Sequence, residues 1–313
     1  MKFTLATCVR NEGPYLLEWV AHYKLLGFER IVIFSNDNDD GSDEILAEMQ
    51  KEQLIEWRPR TVAPGDSPQR TAFKALSDEL FGDKNEHGGY LAWFDCDEFL
   101  VLKRHSTVQA LLKDFSYPDA LFINWKHFGS FAKKQYERDL TVSRFLGCDS
   151  SSFHNRHGKS ISKIAPDLFS MIAHHRPVPR SQDVWGRVIY ATNQENDVSV
   201  AKKIVYGAHA KKHDDSPIIH EVCQLNHYAV RSKEEYVWKS IRGNGMLALD
   251  DEKIHFQKTY FNAHNLNKET ETIAADQYAG PIKEYLASLP TTLSELEARV
   301  VDTLVEGYRK SLQ

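Results

Sequence analysis

Cysteine is scarce in this chain and is placed where it cannot staple anything. Cys8, Cys96, Cys148 and Cys223 lie far apart with no CxxC pair, which argues against both a thiolate zinc site and a disulfide framework and favours a reducing, cytoplasmic setting. Long apolar runs are also missing. No stretch approaches the roughly 20 residues a membrane-spanning helix needs. The opening apolar run meets Arg10, Asn11 and Glu12 too early for a signal peptide, so any membrane contact is expected to be peripheral. Charge of one sign is not in excess: the formal net charge is -5, which excludes wholesale nucleic-acid binding. A glycine-rich phosphate loop is absent too, since Arg10-Asn-Glu-Gly13 is a poor one. No internal repeat or low-complexity segment interrupts the chain.

What remains is an enzyme-like composition, 42% hydrophobic and 27% charged over 313 residues, enough for a substantial core. The first 125 residues alternate between two periodicities. Phe3 to Val9 reads as a strand. Pro14 opens a helix whose Leu16, Leu17, Trp19, Val20, Tyr23 and Leu26 form one apolar face. Arg30 to Phe34 is a second strand, ending in the polar turn Ser35 to Ser42, after which Asp43 is expected to cap a helix through about Lys51. A short strand at Leu54 to Trp57, a helix near Gln69 to Leu80, a strand from Tyr90, a helix from Ser106 and a strand at Ala120 to Trp125 follow. Such repeated units predict an α/β fold with a mostly parallel central sheet and helices on both faces.

The most informative stretch is Tyr90-Leu-Ala-Trp-Phe-Asp95-Cys-Asp97-Glu98-Phe-Leu, where an apolar strand runs straight into three carboxylates. Ionised carboxylates at the end of a buried strand are costly unless a cation or hydrogen-bond donors meet them. In open α/β sheets the ligand crevice lies outside the carboxyl ends of the strands, where Asp95 and Asp97 fall. The rival reading is a solvated acidic turn.

Beyond Trp125 the pattern is less regular and the charge changes sign. Lys126 to Tyr190 holds eleven Lys and Arg against five Asp and Glu, 11 - 5 = +6, with five histidines. That balance suits an anion-facing segment or a solvated basic surface. His209-Ala-Lys-Lys-His213 has zinc-pair spacing but lacks the glutamate of a metalloprotease. Ser232-Lys-Glu-Glu235 and Thr292-Leu-Ser-Glu295 have capping-box spacing. In the tail, Leu296, Val300, Leu304 and Tyr308 share one stripe, expected to pack on the body or a partner subunit.

Five blocks, in order, resemble glycosyltransferase family 2-like and family 92-like proteins. They are Cys8-Val-Arg-Asn-Glu-Gly-Pro-Tyr-Leu-Leu-Glu-Trp-Val20, Asn36-Asp-Asn-Asp-Asp-Gly-Ser42, Phe94-Asp-Cys-Asp-Glu-Phe-Leu100, Trp125-Lys-His-Phe-Gly-Ser130, and Asn226-His-Tyr-Ala-Val-Arg-Ser232 followed by Arg242-Gly243. The resemblance implies a GT-A fold over residues 1–250, with a nucleotide-binding half at 1–125 and an irregular acceptor-side half at 126–250, plus a helical tail at 251–313. It implies a metal-dependent, inverting transfer of one sugar from a nucleotide-sugar to a glycan or other hydroxyl, with UDP-linked donors favoured. The Gln-x-x-Arg-Trp block of processive synthases is missing, so single-residue transfer is expected over long-polymer synthesis.

By that resemblance Asp95 and Asp97 are expected to hold Mn²⁺ or Mg²⁺, hard ions that prefer carboxylate, water and phosphate oxygens, with His227 completing the coordination. Arg10, Asn11, Glu12, Asp37, Asp39 and Arg70 are candidates for the nucleotide. Trp125 and Phe128 are candidates for stacking on a sugar, with Gly129 permitting close approach. Lys163 and His174 resemble positions near the phosphates and acceptor, and Asp183 is a candidate base beside its ordinary turn role. Glu98 is expected to orient the loop. Replacing Asp97 by Asn is expected to abolish turnover with little change in folding. Two other classes stay open at this level: a nucleotidyltransferase, and a non-catalytic glycan-binding module.

Overall fold

The structure, a computed structural model, describes residues 1–82, 88–192, 216–248 and 258–311; the His209 and His213 pair lies outside these. In chain order the first half runs β1 (Lys2–Val9), α1 (Gly13–Leu25), β2 (Arg30–Ser35), α2 (Ser42–Lys51), β3 (Glu56–Pro59), α3 (Pro68–Phe81), β4 (Gly89–Trp93), β5 (Glu98–Leu102), α4 (Val108–Asp114) and β6 (Ala120–His127). Then come α5 (Thr141–Arg144), β7 (Gly147–Cys148), β8 (Gly158–Lys163), β9 (Phe169–Ile172), β10 (Pro177–Pro179), β11 (Val188–Tyr190) and β12 (Cys223–His227). The chain closes with α6 (Lys233–Arg242), α7 (Lys258–His264), β13 (Glu269–Thr270), α8 (Ile273–Ala287) and α9 (Thr291–Ser311).

The expected α/β sheet is present. Its order is β3-β2-β1-β4-β8-β6-β12-β5, with β11 also on β6. Pairings among β3, β2, β1 and β4 are parallel, as are β6 with β12 and β6 with β11. β8 runs antiparallel between β4 and β6, and β5 runs antiparallel to β12. Alternation along the strands sends residues to two cores. Leu5, Ile31, Ile33, Ala92 and Leu121 join α1, α2 and α4 on one side, while Ala6, Val32, Phe34, Leu91, Trp93 and Phe122 join α3 on the other.

The strand from Tyr90 ends at Trp93 with the carboxylates just beyond it, as expected; they form a turn in which Glu98 N donates to Asp95 O at 2.9 Å, and the chain reverses into β5. Several local expectations are corrected. The aspartate that serves the start of α2 is Asp40, accepting from Ser42 N at 2.8 Å; Asp43 is already inside the helix. Thr107, not Ser106, caps α4. Ser232 and Glu235 form the full capping box of α6. Thr292 and Glu295 do not start α9, which begins at Thr291, and the Thr292 hydroxyl turns to Glu48 instead. Tail residues Tyr278, Ile282, Leu293 and Val300 belong to the first core, so the tail helices complete the body.

The basic stretch after Trp125 is largely neutralised within the fold. Lys159 reaches Asp95, Lys163 and Arg187 share Asp119, and Arg144 makes a two-pronged pair with buried Glu235, both bonds at 2.9 Å.

Candidate functional site

A cavity of about 230 Å³ opens at the carboxyl ends of β1, β2 and β4, the edge at which such sheets bind ligands. Arg10 and Glu12 come from the end of β1, Asn36 from β2, and Asp95, Cys96 and Asp97 from the turn after β4. Trp125 of β6, His227 at the last position of β12, Gln69 of α3, His174, Lys239 and Arg242 of α6, and Tyr260 of α7 complete the wall. Register explains how Lys159 and His227 come near it. Antiparallel β8 pairs Ile161 with Ala92, so its first residues, Lys159 included, lie beside the carboxyl end of β4, just behind the wall. On β12, His227 pairs with both His127 and Glu98.

The turn that carries the carboxylates is held from all sides. Glu98 Oε2 accepts from Asp95 N at 2.8 Å and Glu98 Oε1 from Trp125 Nε1 at 2.7 Å. Trp19 Nε1 donates to the Asp95 and Glu98 carbonyls at 3.0 and 3.2 Å. Burial pushes the Glu98 carboxyl up, against the pull of Lys159 and with the Asp95 and Asp97 charges adding to the push. Glu98 thus faces the loop, as expected, and not the cavity.

Every carboxylate on the cavity wall meets a cation. Asp95 Oδ2 accepts from Lys159 Nζ at 3.0 Å and its Oδ1 from Gln69 Nε2 at 3.2 Å. Asp97 Oδ2 accepts from Lys239 Nζ at 2.7 Å, while its Oδ1 stands 3.6 Å from His227 Nε2. Burial alone would raise the Asp97 carboxyl; Lys239, His227 and Arg231 outweigh it and hold the group well below the usual range. Glu12 is paired with Arg231 and Arg242. Against this pairing, four buried polar atoms on the wall have no partner among the described residues: Arg10 Nε, Gln69 Oε1, His174 Nδ1 and His227 Nδ1. Buried polar groups are ordinarily hydrogen-bonded, so these four atoms are available to water or to a polar ligand in the cavity.

The divalent ion implied by the resemblance needs donors spaced to share one point. Two atoms that share one ion at about 2.1 Å stand roughly 3–3.6 Å apart, so Asp97 Oδ1 and His227 Nε2 fit. Asp95 is engaged by Lys159 and Gln69, and among the described residues no group of three or more His, Cys, Asp or Glu side chains is disposed around one point. Asp97 Oδ1 and His227 Nε2 are thus the two atoms that would hold such an ion, with substrate phosphates and water to complete it.

The remaining candidates separate. Asn11 and Asp39 exchange hydrogen bonds with each other, tying the turn after β1 to the turn after β2. Asp37 lies on the outer side of that turn and accepts from Asn36 Nδ2 at 3.0 Å. Arg70 lines a different, shallow groove with Asp66, Lys74 and Met246. Lys163 sits four residues along β8 from Lys159, roughly 13 Å away, paired with Asp119. Asp183 is exposed in the 3-10 turn Gln182–Arg187, off the cavity wall. Trp125 is on the wall, but Phe128 is 1% exposed and packs on the Tyr228 ring at 5.0 Å. Gly129 leaves room for Asn267, whose side chain lies 2.5 Å from where a Cβ would stand; that space is filled by the protein itself.

Lys159, Lys239, Arg231 and Gln69 were not legible as site residues. The available signal was a polar stripe, Glu235, Lys239 and Arg242, at helical spacing on the helix that follows Asn226-His227.

Residues 4–178, more than half of the chain, match the sequence model of glycosyltransferase family 92. The chain belongs to that family. Curated relatives include a family 92 protein of Oryza sativa subsp. japonica, 27% identical over 112 residues, and one of Arabidopsis thaliana, 29% identical over 107 residues. The aligned segment is 36% of this chain and 18% of the rice protein, and 34% and 18% for the Arabidopsis protein; the family 92 relatives are thus matched over less than a fifth of their own length. Among solved structures, S. aureus TarS 1-349 in complex with UDP-GlcNAc is 11% identical, with 99% of this chain and 92% of that chain covered at a TM-score of 0.36, too loose a likeness to carry any residue's role across. No helix among the described residues is long and apolar enough to cross a membrane.

Proposed function

We propose that the cavity binds a nucleotide-sugar and that this family 92 chain moves one sugar from it to a hydroxyl of a glycan or other acceptor, with inversion, in the manner of GT-A enzymes. The observation that carries the reading is the cavity wall itself. Cations and carboxylates are set together at the carboxyl ends of parallel strands, and buried polar atoms on the same wall are available to a polar ligand.

Roles follow from position. Arg10 and Asn36, at the ends of β1 and β2, face the nucleoside. Lys239 and Arg242, one turn apart on α6, face the diphosphate. Trp125 presents an apolar wall of the kind that stacks on a sugar's C-H face. Asp97 and His227 hold a Mn²⁺ or Mg²⁺ ion; when bound, such an ion neutralises the charge of a departing diphosphate. Asp95, fixed by Lys159 and Gln69, shapes the wall beside it. Asp183 is not on that wall, so the proton of the acceptor hydroxyl goes to another group or to water; Lys163 is not on it either, which leaves the diphosphate to Lys239 and Arg242. Four free cysteines fit a reducing compartment, and polysaccharide assembly there is the process proposed.

The test is release of nucleotide. UDP-linked sugars incubated with the protein and Mn²⁺, without acceptor, are expected to give slow hydrolysis to UDP and free sugar. Pyrophosphate from a nucleoside triphosphate plus sugar phosphate, with no turnover of any nucleotide-sugar, would overturn the reading.

A further inference from the structure

Asp97 already has a cation within the chain. Lys239 Nζ donates to Asp97 Oδ2 at 2.7 Å and to the Ala229 carbonyl at 2.8 Å. Both side chains are almost buried, 9% and 7% exposed, yet both lie on the cavity wall. The two oxygens of Asp97 are thus divided, Oδ1 toward His227 and Oδ2 toward Lys239.

The cavity already carries its own cations. Glu12, Asp95 and Asp97 are met by Lys159, Lys239, Arg231 and Arg242, and Arg10 stands on the same wall. A divalent ion arriving alone puts two more positive charges beside an ammonium in a low-dielectric setting, where like charges repel strongly. A diphosphate brings the compensating negative charge. An ammonium on a flexible four-carbon stem is suited to changing partners, and Arg242 flanks the same wall one turn further along α6.

We propose that Lys239 is the resident counter-ion of Asp97, and that a divalent cation binds at Asp97 and His227 by exchange, turning the ammonium from Asp97 Oδ2 toward the incoming diphosphate. The inference rests on reading Asp97 and His227 as the ligands of the ion. Lys239 is then a positioning residue that sets ion affinity through Asp97. Ion and diphosphate bind together far better than either does alone, because each supplies the charge the other lacks.

The measurement is Mn²⁺ affinity, read by electron paramagnetic resonance of the free ion, for the wild type, Lys239→Met and Lys239→Arg, with and without UDP. Without UDP, the Met variant is expected to bind Mn²⁺ at least tenfold more tightly than the wild type, and the Arg variant close to it. UDP should strengthen Mn²⁺ binding in the wild type and much less in the Met variant. Lys239→Gln keeps a donor for Asp97 without the charge and carries the same test if the Met variant fails to fold. Mn²⁺ affinity unchanged or weakened on removing the charge, the result for a lysine that only braces the loop, overturns the exchange. No Mn²⁺ binding by any variant, with or without UDP, overturns both the exchange and the metal site, while UDP binding and nucleotide release still report on the rest of the proposed function.

Discussion

Asp97→Asn keeps the shape of the side chain and removes its charge, so it isolates the electrostatic part of the site. In the wild type the carboxylate is 7% exposed and accepts a 2.7 Å hydrogen bond from Lys239, itself 9% exposed. Hydrogen bonds to charged groups contribute about 1.5–3 kcal/mol. A stranded buried charge costs about 3–5 kcal/mol, but the asparagine oxygen still accepts from Lys239, and the Ala229 carbonyl keeps its bond. The variant should therefore lose about 1.5–3 kcal/mol at neutral pH, a revision of the small folding effect expected from sequence. The sign with pH follows from the depressed carboxyl of Asp97. Its contribution is present above the unfolded value and is lost as pH falls through the still lower folded one. Between about pH 5 and pH 8 the carboxyl itself stays ionised, so any change in the gap there comes from the imidazole of His227, 3.6 Å away, and disappears in an Asp97→Asn, His227→Gln pair compared with His227→Gln alone. Urea denaturation followed by tryptophan fluorescence measures it, and nucleotide release should fall about 100-fold or more alongside. Equal stabilities at neutral pH would refute the reasoning.

Other outcomes are equally specific. His22 and His220 are held by burial near 4, and burial keeps His127, His174 and His175 well below their ordinary value. The unfolded chain takes up protons around the ordinary histidine value that the fold refuses until lower pH. Stability is thus complete above about pH 6.5 and declines as pH drops toward 4; a melting temperature that is flat between pH 7 and pH 5 contradicts this. Gly129→Ala drives a methyl group against Asn267 and should cost about 1–3 kcal/mol of stability while UDP binding is unchanged. A variant of wild-type stability that loses only acceptor use would restore the role of Gly129 beside a sugar.

Much of this protein could be read locally. Alternating periods fixed the strand and helix order of the first half, because one buried face imposes a spacing on each element. The Ser232 and Glu235 capping box was legible for the same reason: its hydrogen bonds close within one turn. The apolar run into Asp95 and Asp97 marked the sheet edge where the cavity opens, and the ordered blocks marked the family. Where Asp43 and Thr292 failed as helix starts, a competing partner a few residues or a whole domain away took over, Asp40 for one and Glu48 for the other.

The sequence by itself thus determined the class of fold, the sheet edge at which the cavity opens and the family. Tertiary structure decided which charge meets which. Asp95 finds Lys159, Asp97 finds Lys239 and Glu12 finds Arg231 and Arg242 because an antiparallel strand is inserted beside β4 and α6 is set over the cavity, and no local spacing encodes either. It also separated Trp125 on the wall from Phe128 in the core, and Lys159 at the site from Lys163 at the far end of the same strand. Burial and charge pairing depend on which elements become neighbours, and that is a property of sheet order rather than of any window of residues.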